Sequence, residues 1–511
     1  MLIPVFILMA LLVYIWHNDR LYHQPCNIQL AQEDQWSSSQ VQQAAKKTSS
    51  KDAHLLKVGD LPPKTGRKYI IVGGTGFIGN WIVATLIRRG EDPKRIRVVD
   101  LLSPKLPEQL QYVGAGVEYV KADITDLDST ISAFTKAWPG FPIKEGSASP
   151  TGLTVFHCAA VLRYFERQST FLPRSVLVNM SGTRNVIEAS KAAGADILLY
   201  TSSSVVGIRR ARLFSFPWES KRNTRCTQVV SDEGEAEGKG GVIWRYRDHH
   251  DFTSNYAETK YRAELLIRNA NKSNNGELRT GILRPGSLIY GPTPQDPAFL
   301  EFLKRPSSPL WTRNTISNLL YIENCICAHL LYEQRLLEVQ RGGKDLSGHA
   351  YLVGDSPFNF VDITMAMTVL TEGKVTFFNM SPTFMYLLSH LVEGYELLWQ
   401  KYPGIRKILP KLGGDVLKLQ PSTHQTMMVN ALLDDSLIRA SVEKEGLGFK
   451  PKVETLDARA SFAIPVIACG SCGHEGHHEK KVLHFAWDPK WGRYQVNLVN
   501  PMIEIESPLT P

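Results

Sequence analysis

Residues 68–81 read KYIIVGGTGFIGNW, and the reading of the whole chain starts there. Tyr69 to Val72 suit a buried strand. Gly73, Gly76 and Gly79 follow, and an apolar, helix-like run comes next. A strand that turns through such glycines into a helix has a physical use. The first glycine permits a tight turn, the second lets a pyrophosphate approach the backbone, and the third lets the helix pack on the strand. The helix then presents free N–H groups and the positive end of its dipole to the phosphates. The stretch predicts a dinucleotide site.

The next strand candidate, IRVVD, ends in Asp100, about 20 residues beyond Gly79, where a carboxylate can bond the adenosine ribose hydroxyls. A carboxylate there repels a 2′-phosphate, which favours NAD over NADP. After the third strand, KADITD places Asp123 and Ile124 where they can flank the adenine. From Tyr69 to about Pro285 short apolar runs (YIIV, IRVV, VEYV, TVFH, ILLY, TGIL) alternate with longer amphipathic ones. This alternation predicts an α/β fold, a Rossmann-type doubly wound parallel sheet with helices on both faces. Beyond Pro285 prolines cluster and helices appear without matched strands. The expected organisation is an NAD-binding domain over 67–285, a smaller substrate-binding lobe over 286–460 and a tail over 461–511.

The 511 residues are 43% hydrophobic and 21% charged, with a formal net charge of +8, an ordinary globular composition. No Lys/Arg block alternates with aromatic residues, so nucleic acid is a poor candidate partner. Seven cysteines are too sparse and too odd in number for a disulfide scaffold, and a reducing, cytosol-facing body fits better. No charged side chain occurs from Met1 to Trp16. A helix of that length reaches roughly 24 Å, short of the ~30 Å hydrocarbon core, so it spans with local thinning or lies partly in the interface. There is no basic leader and no small-residue cleavage site, and the positive side chains follow the apolar run. Residues 1–20 therefore read as an uncleaved amino-terminal membrane-anchor helix with the body in the cytosol. Residues 21–66, rich in Gln, Ser and Lys, read as a flexible linker. Phe384 to Trp399 is strongly apolar, but Glu393 and Glu396 make it an amphipathic helix rather than a span.

The run NYAETK holds Tyr256 and Lys260 one helical turn apart on a common face. A neighbouring ammonium stabilises a phenolate, and the pair can exchange a proton with a hydroxyl or carbonyl. The fifth strand candidate ends in LLYTSSS, at the strand end where open α/β sheets bind ligands. Ser203 can hydrogen-bond a reacting oxygen there, with Ser202 and Ser204 as alternatives.

These residues together resemble the extended short-chain dehydrogenase/reductase family. The resemblance runs from about Lys68 to Ala458. It rests on the glycine run with Thr75, Phe77 and Ile78, on VFHCAA (Val155 to Ala160), NMSGTRNVIEAS from Asn179, the serine run, Tyr256 with Lys260, and RPGSLIYGP from Arg284. It implies that Tyr256 is the catalytic acid/base, Lys260 binds the nicotinamide ribose and tunes the tyrosine, Ser203 orients substrate, and Asn179 supports a proton relay. It also implies cofactor contacts at Ala159 and Pro285. Asn324, Ala328 and His329, and the stretch Leu346 to Ile363, are similar to the 3β-hydroxysteroid dehydrogenase and sterol-4α-carboxylate 3-dehydrogenase branch. That branch implies NAD-dependent oxidation of a 3β-type alcohol on a sterol-, steroid- or triterpenoid-like substrate, with decarboxylation at C4, at the endoplasmic reticulum membrane. A reductase or epimerase on another small molecule, and a non-catalytic NAD-binding scaffold, are the alternatives. The sequence leaves the oligomeric state, a homodimer included, open.

The stretch between Ser203 and Tyr256 is longer than the family pattern, and its polar run SDEGEAEGKGG reads as a surface insertion near the substrate mouth. Cys469, Cys472, His474, His477 and His478 have zinc-like ligand types, but ligand pairs in structural sites are usually spaced more widely. A Gly/His-rich loop without metal is expected. The Asn-x-Ser sequons at Asn179, Asn271 and Asn379 are expected to be unused, because a cytosolic body does not meet the glycosylation machinery.

Overall fold

Strand β1 (Lys68–Val72) lies in the interior of a seven-stranded sheet, paired on both sides. Its alternation explains the position. Tyr69 and Ile71 enter one apolar layer, Ile70 and Val72 the other, and all four are sealed from solvent. A strand covered on both faces has to be apolar throughout. The other strands are β2 (Ile96–Asp100), β3 (Glu118–Lys121), β4 (Leu153–His157), β5 (Ile197–Thr201), β6 (Arg279–Pro285) and β7 (Ala350–Val353). They stand in the order β7-β6-β5-β4-β1-β2-β3, all parallel. Strand order reverses between β1 and β4, so a crevice lies at the carboxyl ends of these strands. This is the expected Rossmann-type sheet. The computed structural model describes residues 2–22, 36–48, 55–139, 152–220, 226–232, 247–273, 277–296, 299–355 and 357–453, and the backbone of 482–488 and 493–499.

Helices Phe77–Arg88 and Ile322–Glu338 cover one face with Ile82, Val83, Leu86, Ile326 and Leu330. Helices Leu127–Thr135, Thr183–Ala192 and Asn255–Asn269 cover the other with Phe134, Val186, Ile187, Ala263 and Ile267. Helix Ile322–Glu338 and strand β7 belong to this sheet body, although they lie within the stretch expected to form the second lobe.

Small sheets build the remainder. Leu288–Tyr290 pairs with Ile316–Tyr321, which pairs with Pro357–Asn359, and Ser307–Leu310 pairs with Thr376–Asn379. Asn430–Asp434 pairs with Thr227–Ser231, a strand from the long Ser203–Tyr256 stretch. That stretch is therefore partly structural. Ser231 and Asp232 of the polar run are described, and Asp232 is buried, its Oδ1 accepting the Leu352 N–H in β7. Helix Pro382–Lys401 forms as expected, and Glu393 binds Arg167.

Within the expected linker, Ser38–Thr48 is helical and buries Val41 against Ala366 and Leu370, while Leu56 and Leu61 join the main core. The amino-terminal run is a helix, Leu2–Tyr22, but no described helix is long and apolar enough to cross a membrane. The expected spanning anchor over residues 1–20 is thus not supported. The apolar run stops at Trp16, and the polar turns after it belong to the body. Asn18 Nδ2 donates to Thr383 Oγ1 (2.7 Å), Asp19 Oδ1 accepts from the Thr383 amide (3.0 Å), and Leu21 and Tyr22 are buried. In the tail, Val482–Asp488 and Arg493–Val499 form an antiparallel pair. Cys469, Cys472, His474, His477 and His478 lie outside the described residues, and among the described residues no cluster could hold a metal ion.

Candidate active site

The glycine turn is shaped by what it excludes. Gly73 has φ +80°, and a Cβ there would sit 2.7 Å from the Ala159 amide nitrogen. A Cβ on Gly79 would sit 2.3 Å from the Gly73 carbonyl oxygen and 2.7 Å from Gly74 Cα. Gly76 caps helix Phe77–Arg88, whose first residues, Phe77 and Ile78, are half-buried. The bare turn and the helix start fit a pyrophosphate held by backbone N–H groups. At the end of β2, Asp100 Oδ2 accepts the Thr75 N–H and Oδ1 the Leu102 N–H, each at 3.0 Å. A carboxylate fixed at this corner matches ribose hydroxyl donors. The Thr75 carbonyl in turn accepts from Gln109 Nε2 (2.9 Å) and Gln295 Nε2 (2.6 Å). Asp123 is occupied in its own turn, Oδ1 accepting from Thr125 N (2.9 Å) and Oγ1 (2.8 Å). Ile124 packs so close to Gly182 that a Cβ there would lie 2.7 Å from its Cδ1. Pro285 ends β6, and the next residue, Gly286, donates to the Val353 carbonyl (2.8 Å).

Tyr256 and Lys260 share helix Asn255–Asn269, which Ser254 caps by accepting the Ala257 N–H at 3.1 Å. Lys260 Nζ donates to the Thr201 carbonyl (2.8 Å) and lies 4.7 Å from the centre of the Tyr200 ring and 5.9 Å from that of Tyr256. Burial lowers the Lys260 pKa to about 8. Burial also raises the Tyr256 pKa to about 12, and a hydrogen bond with Ser203 opposes that rise. Desolvation therefore dominates the phenol's shift, as it does the ammonium's.

The three serines separate by partner. Ser202 Oγ donates to Glu264 Oε1 (2.5 Å), and Glu264 is held by Arg284 through Nε (2.9 Å) and Nη2 (2.6 Å). Ser204 Oγ faces Ser287 Oγ (3.2 Å). Ser203 is the serine that meets Tyr256. Asn179 sits in a π-helical turn, Leu177–Gly182, with Oδ1 accepting the Val161 N–H (2.9 Å) and Nδ2 donating to Thr259 Oγ1 (3.0 Å) beside Lys260.

Sequence reasoning singled out His329 by resemblance but missed its role in holding β5 in place. His329 Nδ1 lies 2.8 Å from the Cys325 carbonyl, which can only accept, so Nδ1 carries the proton and Nε2 accepts from Thr201 Oγ1 (2.9 Å). Cys158 Sγ then lies 3.3 Å from that hydroxyl. Burial lowers the His329 pKa to about 4, so the ring is neutral. No local pattern marks Thr201, Glu264, Gln295 or His329 as partners, since each meets its contact across the fold.

The sheet order and the glycine turn make a fold like that of the extended short-chain dehydrogenases/reductases. Residues 70–212 match the 3-beta hydroxysteroid dehydrogenase/isomerase family, and residues 152–317 match the male sterility protein family. An Arabidopsis thaliana 3β-hydroxysteroid dehydrogenase/decarboxylase is 26% identical over 76% of the chain; the match spans 60% of that relative's own length. A Candida albicans decarboxylating sterol-4-alpha-carboxylate 3-dehydrogenase is 26% identical over 75% of the chain and 93% of the relative. Among solved structures, a Stenotrophomonas UDP-glucose 4-epimerase with bound NAD superposes with TM-score 0.50 at 15% identity, over 78% of this chain and 97% of that one, a likeness of fold alone. The chain is thus similar, over part of its length, to the 3β-hydroxysteroid dehydrogenase family, and these relatives are oxidoreductases acting on CH–OH groups.

Proposed function

We propose that the chain oxidises the 3β-hydroxyl of a sterol-like alcohol with NAD. The observation that carries the reading is the convergence of Ser203, Tyr256 and Lys260 at the end of β5. When bound, NAD accepts the hydride from the carbinol carbon. Ser203 holds the reacting oxygen, Tyr256, ionised to its phenolate, takes its proton, and Lys260 sets an ammonium beside that phenolate and would donate to the nicotinamide ribose. Asn179, joined through Thr259 to the same helix, supports the path by which that proton leaves. Asp100 favours NAD over its 2′-phosphate because a fixed carboxylate repels the added charge. Where a carboxylate lies beta to the new ketone, the bond to it breaks, its electron pair passes to the ketone oxygen and carbon dioxide leaves.

Helix Leu2–Tyr22 supports a lipophilic setting. Ile3, Phe6, Ile7 and Trp16 are each more than 60% exposed, and Phe216 and Trp218, stacked at 4.8 Å, stand exposed on the loop that Tyr14 and Asn18 touch. Such a face suits shallow insertion at a bilayer surface rather than a span. The test of the reading is reduction of NAD and NADP by the full chain in detergent with 3β-hydroxysterols, with and without a 4α-carboxyl group. Turnover with NAD is expected. Tight NAD binding with no sterol turnover contradicts the substrate assignment.

A further inference from the structure

Helix Pro382–Lys401 turns its acids inward. Glu393 and Glu396 are the only acidic residues between Pro382 and Gly413, and both are buried, Glu393 on Arg167 (2.8 Å). The side left outside is apolar. Phe384, Leu391 and Leu398 are exposed, Leu391 by 71%, and they stand seven residues apart, so they line one stripe along the helix. Met385, Tyr386, Ser389 and Val392 are buried on the opposite side. The stripe ends among cations. The Arg406 guanidinium lies 4.9 Å and Lys411 Nζ 6.0 Å from the centre of the Trp399 ring, and Lys401 Nζ lies 5.6 Å from that of Tyr402. Arg406 also fastens the turn to the helix end, donating to the Trp399 (2.9 Å) and Gln400 (2.8 Å) carbonyls. Ile408, 81% exposed, stands on this turn between Lys407 and Lys411. The next acid, Asp415, is taken by Arg305 and Lys418. Among the described residues none of Lys401, Arg406, Lys407 and Lys411 is in an ion pair.

The neighbour of this face says what covers it. The helix starts against the amino-terminal helix, where Asn18 and Asp19 hold Thr383. There the consecutive residues Val5, Phe6, Ile7, Leu8 and Met9 are each more than half exposed, and five consecutive positions point in every direction around a helix. One protein surface covers one side of a helix, whereas a fluid apolar medium covers all of it. The basic end lies about 30 Å from this junction, the length of 20 helical residues. Trp and Tyr beside Lys and Arg suit the headgroup layer of a bilayer, and four cations without acids suit anionic headgroups.

We propose that the exposed stripe of helix Pro382–Lys401 and the basic turn through Lys411 form a docking surface for an anionic lipid bilayer, separate from the insertion of helix Leu2–Tyr22. Leu391, Leu398 and Ile408 enter the headgroup boundary, and Lys401, Arg406, Lys407 and Lys411 meet the lipid anions. Two contacts so far apart fix the tilt of the body on the membrane. The proposal adds to the bilayer reading of the amino-terminal helix and does not depend on the dehydrogenase reading.

The test is sedimentation of the full chain with vesicles of phosphatidylcholine alone and with phosphatidylserine added, at low and high salt. Helix Leu2–Tyr22 carries no charge through Trp16, so its insertion responds little to lipid charge or salt. The wild type is expected to bind the anionic vesicles about 100-fold more tightly at low salt and to lose that preference at high salt. Lys401→Gln, Lys407→Gln and Lys411→Gln together lower the preference by about 30-fold or more and spare binding to neutral vesicles, since each basic residue near an anionic surface contributes about fivefold. Leu391→Ser with Ile408→Ser weakens binding to both kinds of vesicle. Equal binding of the wild type to both kinds overturns the proposal, as does a triple variant that keeps the preference. An equal loss on replacing the exposed Lys94, Lys105 and Lys121 by Gln, at the β2–β3 edge of the sheet, also overturns it, because net charge alone then explains the effect. A dimer of the chain that Leu391→Ser with Ile408→Ser dissociates, with vesicle binding unchanged, assigns the face to a second copy and overturns it too. None of these outcomes requires turnover, so the dehydrogenase reading stands or falls separately.

Discussion

Gly79→Ala probes the turn most severely. The new Cβ would lie 2.3 Å from the Gly73 oxygen, 2.7 Å from Gly74 Cα and 2.9 Å from the Gly73 carbonyl carbon, all backbone atoms. Ordinary carbon–oxygen contact lies about 1 Å further out, so helix and turn must separate by about that distance. No flexible side chain can give way. Overpacking of this kind costs about 1–3 kcal/mol, and strain against backbone belongs at the upper end. The displaced helix also moves its amino-terminal N–H groups away from the pyrophosphate, so NAD affinity falls at least tenfold. Gly76→Ala is the control. Its Cβ meets the Gly73 oxygen at 3.2 Å, a tight contact, and its φ of −78° suits alanine. It is expected to cost under about 1 kcal/mol of stability while still obstructing the phosphates. Urea denaturation and NAD titration of both variants separate the effects. A Gly79→Ala chain as stable as the wild type, with the same NAD affinity, refutes the packing argument.

Three further outcomes follow from the site. Ser203→Ala is expected to lower kcat by about 100-fold with little loss of stability, while Ser202→Ala costs about 1–2 kcal/mol by loosening the Glu264–Arg284 pair and spares kcat; the reverse pattern in paired kinetics and denaturation contradicts the assignment. Asp100→Ala is expected to weaken NAD binding and shift the NAD/NADP preference toward NADP by about tenfold or more, and an unchanged preference in cofactor titrations removes Asp100 from the ribose site. Lys260 titrates at about 8 when folded and near ~10.4 when unfolded, so between these values the unfolded chain binds more protons and this residue's contribution to stability rises with pH. Lys260→Met removes that rise, and urea midpoints of the cofactor-free chain at pH 7.5 and 9.5 that climb equally in both proteins argue against a depressed lysine.

The legible part of the fold was local. Tyr69 to Val72 and the glycines declared a strand, a turn and a helix in one stretch, and the structure gives each glycine a close backbone neighbour or a helix cap. Tyr256 and Lys260 were legible because helical spacing alone puts them on one face. What was not legible depends on distant partners. The choice of Ser203 over Ser202 turns on Glu264 and Arg284, which reach β5 from the Tyr256 helix and from β6. The seventh strand, Ala350–Val353, lies beyond the point where strand–helix rhythm lapses, because Leu288–Tyr290 through Ile316–Tyr321 intervene in a separate small sheet. The amino-terminal run reads as an anchor from its apolar composition, yet its last turns are tied to Ser215 and Thr383 by bonds no sequence pattern announces. The stretch around Ser38–Thr48 looked too polar to order, and it is one buried valine, Val41, that docks it on helix Phe360–Leu370.

The central claim is that Tyr256 is the proton acceptor of a sterol dehydrogenase. Tyr256→Phe removes one oxygen from a ring that remains packed in the same apolar cluster. The measurement is NAD reduction by the variant and the wild type at saturating 3β-hydroxysterol, with NAD affinity determined on the same samples. The account predicts unchanged NAD affinity and a kcat lowered by about 100-fold or more, the contribution expected of a positioned acid/base. A variant that binds NAD and turns over sterol at the wild-type rate contradicts it.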